Sequence, residues 1–151
     1  MAVAVGNFSS PGFPVSLPVH HFFCEWRTDS GASSRVQLDF HVVDLPQSTV
    51  DGRSTSYLSY GDFNSRGLRV EHRRVDGSHN KTLRPFTSAG QSAWVTLVST
   101  GDPRKQHQGL LVEVRHLRDG QLLWAVVSLF FRCCEVNYIK SVASKCKYNI
   151  S

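Results

Sequence analysis

A chain of 151 residues, 40% hydrophobic and 19% charged, has the length and composition of a single globular domain; disordered and fibrous classes are excluded. The formal charge is +5, which favours acidic or polyanionic partners through long-range attraction without naming one. The main apolar run, 122–131, is about half the roughly 20 residues a membrane-crossing helix needs, so no membrane insertion is expected of this segment.

The N-terminal Met1–Gly6 has small apolar residues but no basic n-region, and does not read as a signal peptide. Asn-x-Ser/Thr acceptors stand at Asn7, Asn80 and Asn149, and these matter only in a secreted chain. The expectation is a fragment of a larger secreted or membrane-anchored protein. Four cysteines, Cys24, Cys133, Cys134 and Cys146, lack the paired Cys-x-x-Cys spacing of a zinc site. His20 and His21 lie near Cys24, but neighbours on a strand point to opposite faces and do not join at one ion.

Strand signals then run along the chain. In 35–43, Val36, Leu38, Phe40 and Val42 alternate with Gln37, Asp39 and His41, predicting a half-buried strand. Further strands are predicted at 92–99, with Trp94, Val95, Leu97 and Val98, and at 109–117, with Leu110, Val112 and Val114. Asp51-Gly52, Asp76-Gly77, Gly101-Asp102-Pro103 and Asp119-Gly120 supply turns between apolar runs. Alternating strands with such turns bury one face against a second sheet, which predicts an all-β antiparallel sandwich. The predicted core is Trp26, Val36, Leu38, Phe40, Val42, Tyr57, Leu68, Val70, Trp94, Val95, Leu97, Val112 and Val114.

Between residues 66 and 84 lie Arg66, Arg69, Arg73, Arg74, Lys81 and Arg84 against Glu71 and Asp76, and Arg104 and Lys105 form a second group. With Leu68, Val70 and His72 facing a core, Arg69, Glu71 and Arg73 would point outward together. Arg69, Arg73, Arg74, Arg104 and Lys105 are the candidate ligand-binding residues, suited to a sulfated polysaccharide or an acidic extracellular protein. The competing reading is a charged strand edge that resists aggregation. Base readout of nucleic acid has no recognisable module here.

No Gly-x-Ser-x-Gly, His-Glu-x-x-His or glycine-rich phosphate loop occurs, so no enzyme, cofactor or metal is expected. The apolar run 122–131 is open between a strand, a short helix and part of a following domain. Residues 132–151 are basic, cysteine-bearing and expected to be poorly ordered.

Ser10-Pro11-Gly12-Phe13-Pro14, Cys24-Glu25-Trp26 and the strand from Arg35 to Phe40 resemble the opening of a CUB domain. Tyr57-Leu58-Ser59-Tyr60, the segment from Ser88 to Ser99 and Gln108-Gly109-Leu110 resemble later blocks of that family, in the same order. The resemblance covers roughly residues 6–117 and leaves 118–151 outside it. It implies an extracellular, non-catalytic, β-sandwich jelly-roll module that binds proteins or carbohydrates. An alternative is an accessory domain that positions substrates for a larger extracellular protease. CUB domains generally hold two disulfides; no cysteine lies before Cys24 or from 25 to 132, which leaves Cys24 unpaired or joined to a tail cysteine. The three acidic positions that bind calcium in many CUB domains fall near Pro46, Ser56 and Thr100, or Asp102 with a one-residue shift. Two of the three carboxylates are thus lost, and regrouping of Asp44, Asp51 and Asp102 is the remaining route to a calcium site.

Overall fold

The computed structural model describes residues 2–47, 49–50, 53–77, 83–100, 105–118 and 129–133. The described residues contain no α-helix. The strands are β1 (Ala2–Ser9), β2 (Phe22–Asp29), β3 (Ser34–Asp44), β4 (Thr49–Val50), β5 (Arg53–Ser54), β6 (Tyr57–Phe63), β7 (Arg69–Asp76), β8 (Phe86–Thr87), β9 (Ser92–Ser99), β10 (Gly109–Arg118) and β11 (Leu129–Cys133).

Two antiparallel sheets form the sandwich, in the orders β1-β10-β3-β8 and β11-β2-β9-β6-β7, with β4 and β5 as a separate short ribbon. Alternation along each strand explains the layering. Val36, Leu38 and Phe40 of β3 and Leu110, Val112 and Val114 of β10 are buried, and meet Cys24 and Trp26 of β2, Val95 and Leu97 of β9 and Leu58 and Tyr60 of β6 in one core. Phe8 stacks on Trp26 with centroids 4.7 Å apart, and Phe40 packs against Tyr60 at 4.6 Å.

Two β-bulges redirect the alternation and correct the predicted core. In the β3–β10 ladder Phe40 faces Val112 but Val42 faces Leu111, which leaves His41 as an extra residue. Beyond it Val43 takes the buried position and Val42 is half-buried. In the β6–β7 ladder Tyr60 faces Arg73 and Gly61 faces Glu71, so His72 is the extra residue. β7 is an edge strand, and Leu68 and Val70 are 60% and 44% exposed rather than core. Tyr57 is half-buried, and Trp94 is buried outside the core cluster.

At the start of the chain, β1 pairs with β10 along most of its length, an element that its small apolar residues did not announce. The turn after it places Gly12 at φ 75°, where its carbonyl accepts from Val15 and Ser16 and where a Cβ would lie 1.9 Å from the Ser16 oxygen. Only glycine suits that position. The end of the 122–131 run joins β11, which lies beside β2 and sets Cys133 opposite Cys24. Arg132 and Cys133 therefore belong to a strand; 119–128 and 134–151 lie outside the described residues.

Candidate binding face

Residues paired across a ladder share a face, so the register reads out what the outer side of the five-stranded sheet presents. Trp94 aligns with Arg27 and Gly61, Thr96 with Glu25 and Ser59, and Val98 with Phe23 and Tyr57. On β7, Asp76, Arg74 and Glu71 align with Tyr57, Ser59 and Gly61.

Three guanidinium groups rest on aromatic rings of this face. Arg27 lies 4.4 Å from the Phe63 centroid, Arg69 4.8 Å from Trp94 and Arg74 4.3 Å from Tyr57. Each also has a carboxylate partner: Asp29 at 3.6 Å from Arg27, Glu25 beside Arg69, and Glu71 at 2.9 Å from Arg74. The Ser59 hydroxyl donates to Glu71, and this bond, with the Arg74 guanidinium, holds the Glu71 carboxyl below its ordinary value. The arginines are thus fixed in place rather than loosely solvated.

The bulge at His72 divides the predicted cluster. Arg69, Glu71 and Arg74 share the outer face, whereas Arg73 pairs across from Tyr60. Burial raises the Tyr60 phenol, and the charge and hydrogen bond of Arg73 oppose the rise. Lys105 is exposed in the segment leading to β10, and Arg104 lies outside the described residues. Of the glycan acceptors, Asn7 is exposed on β1, while Asn80 and Asn149 lie outside the described residues. The aromatic partners Tyr57, Phe63 and Trp94, and Arg27 with them, were not legible as a site because they come together only through strand register.

At the opposite end of β6 the positions implied for calcium carry a different chemistry. The Ser56 hydroxyl accepts from the Thr100 amide at 3.0 Å and lies 3.2 Å from Thr100 Oγ1, which in turn is 2.8 Å from Thr55 Oγ1. Pro46 is fully buried. Asp44 is committed to the chain before β10: its Oδ1 lies 2.9 Å from His107 Nδ1 and its Oδ2 accepts from the Gln108 amide at 2.8 Å. Hydroxyls and a buried proline do not supply the carboxylate charge that calcium needs, so these residues do not fit the ion. Asp51 and Asp102 lie outside the described residues. His20 and His21 are exposed ahead of β2, and no cluster of three metal-ligating side chains occurs among the described residues. No helix there is long and apolar enough to cross a membrane.

No protein-family model and no curated protein matches this sequence. Solved structures do. The chain is similar to the CUB1-EGF-CUB2 domain of human MASP-1/3 at 18% identity and TM-score 0.59, over 76% of this chain and 42% of that one. It is similar to the MASP-1 CUB2 domain bound to Ca2+ at 16% identity and TM-score 0.54, over 72% of this chain and 89% of that one. The CUB1-EGF-CUB2 domains of rat MASP-1 match at 19% identity and TM-score 0.54, over 74% and 40% of the two chains. This chain therefore spans less than half of the two multidomain structures. With the sandwich, its two sheets and the order of its strands, the likeness establishes the architecture: the fold of this chain is that of a divergent, CUB-like β-sandwich.

Proposed function

We propose that this domain is an extracellular, non-catalytic recognition module that binds an acidic partner, an extracellular protein or a sulfated polysaccharide, through the outer face of its five-stranded sheet. The observation that carries this reading is the set of three arginine–aromatic pairs, Arg27–Phe63, Arg69–Trp94 and Arg74–Tyr57. Stacking fixes each guanidinium while leaving edge N–H donors for a carboxylate or sulfate, which lowers the ordering cost of binding. Arg69 and Arg74 act there directly; Arg73 beyond the bulge, with Arg104 and Lys105, adds to the attraction. An oxidising compartment is supported by the exposed acceptor Asn7 and by Cys24, which stands opposite Cys133 across the β2–β11 ladder.

The test is retention on a heparin column, with and without a chelator. Wild type is expected to elute at a salt concentration well above that of an Arg69→Ser, Arg74→Ser double variant, and chelation is expected to change neither. Equal elution of the two proteins would reduce the face to a charged surface without a partner.

A further inference from the structure

A cavity of about 530 Å³ opens at the far end of β6 from Ser56, between the turn joining β6 to β7 and the turn before β9. Its wall includes Arg27, Phe63, Asn64, Ser65, Gly90 and Gln91. The seven residues of β6 separate it from the Ser56–Thr100 hydroxyls by roughly 20 Å at strand rise.

Both turns are braced. Asn64 Oδ1 accepts from the amides of Arg66 and Leu68, and the Asn64 amide donates to the Leu68 carbonyl. Across the cavity, Asp62 Oδ2 accepts from the Ala89 amide and the Gly90 carbonyl accepts from Ser88 Oγ. The Gln91 carbonyl accepts from the amide and hydroxyl of Ser30.

These bonds engage Asn64 Oδ1 and the Gly90 and Gln91 carbonyls. The Asn64 side-chain amide nitrogen and the backbone N–H groups of Gly90 and Gln91 make no hydrogen bond among the described residues. Arg27 contributes the lining's one formal charge, and its 3.6 Å ion pair with Asp29 is longer than a hydrogen bond. A lining that offers these donors and whose one charge is positive favours an acceptor-rich anion. Phe63 and the Arg27 methylenes give it an apolar side for C–H groups. The volume lies in the range of small-ligand sites, and turns wall it on two sides, so it suits a terminal unit better than a passing chain.

We propose that this cavity binds a terminal carboxylate-bearing sugar, with the carboxylate on Arg27 and the ring oxygens on Asn64 and the Gly90 and Gln91 amides. This site shares Arg27 and Phe63 with the proposed binding face but uses neither Arg69 nor Arg74, so different variants test the two readings.

The experiment is an amide chemical-shift titration of the whole chain with 3′-sialyllactose. Saturable shifts are expected at Gly67, Gly90 and Gln91, with little response to lactose. Arg27→Gln should weaken binding about tenfold or more, the loss expected of a hydrogen bond to a charged group. Asn64→Asp keeps the turn's oxygen acceptor but replaces a donor by a negative charge, and should abolish binding while the spectrum stays folded. Absence of shifts, equal shifts with lactose, shifts centred on Arg69–Arg74, or preference for a peptide ending in a free carboxylate would each overturn the proposal.

Discussion

The Arg69 guanidinium lies 4.8 Å from the centroid of the Trp94 ring although β6 runs between their strands. It can do so because β6 presents Gly61 opposite Trp94, and no side chain intervenes. Trp94 is anchored below by its indole N–H, which donates to the Asp62 carbonyl at 2.8 Å. A tryptophan on the outer side of a sheet is thereby buried without joining the core.

Removing the cover should show in both stability and fluorescence. Arg69→Ala loses a partly exposed cation–π contact and the ion pair with Glu25, together worth about 1 kcal/mol. Iodide quenching of tryptophan emission should increase. Unchanged quenching would mean that something other than Arg69 shields the ring.

Gly61→Ala is expected to cost more. The added Cβ would lie 1.9 Å from the Val70 carbonyl oxygen, a backbone atom that cannot turn aside. Overpacking of this kind costs about 1 to 3 kcal/mol or more, read as a lower urea midpoint. A neutral result would show that the bulge at His72 relaxes freely.

The strands from 34 to 44, 92 to 99 and 109 to 118 were legible because their apolar residues alternate or run unbroken beside turn signals. What alternation could not reveal was the extra residue of each bulge, since His41 and His72 differ in no local way from their neighbours. One extra residue in β3 moved Val42 out of the core position and brought Val43 in, and one in β7 set Arg73 apart from Arg69 and Arg74. The Arg27–Phe63 and Arg69–Trp94 pairs join residues distant in sequence, and only ladder register brings them together.

The hydroxyl cluster near β6 should be indifferent to chelation. Chelator and added calcium are both expected to leave the melting temperature unchanged. Ser56→Ala should cost about 1 to 3 kcal/mol, because it strips a buried acceptor from the Thr100 amide. A calcium-dependent rise in melting temperature would point to a site built with Asp51 or Asp102.

The register of β11 identifies the expected partner of Cys24. Cys133 stands directly opposite it across the β2–β11 ladder, and Cys24 is fully buried. Non-reducing peptide mapping should recover Cys24 joined to Cys133, and reduction should cost about 2 to 4 kcal/mol. Recovery with Cys134 or Cys146 instead would show that the ladder register does not select the partner.

His116 gives the domain an acid-sensitive point in its interior. The residue is 2% exposed on β10, and its Nε2 has no hydrogen-bond partner among the described residues. Burial, with a smaller contribution from the Arg118 charge, lowers its pKa below the ordinary histidine value. The unfolded chain, titrating near the usual value of about 6.5, therefore binds the proton more readily than the folded one. Stability from this group is complete above that pH and is lost as the pH falls from there towards the lowered folded value. His116→Leu removes both the titration and the unsatisfied nitrogen. The variant should hold its urea midpoint between pH 7.5 and pH 5.5 better than the wild type does, values chosen to span the window from about 6.5 downward. Because the two proteins differ at this residue alone, the difference between their curves isolates it, and parallel curves would show that His116 is protonated without cost.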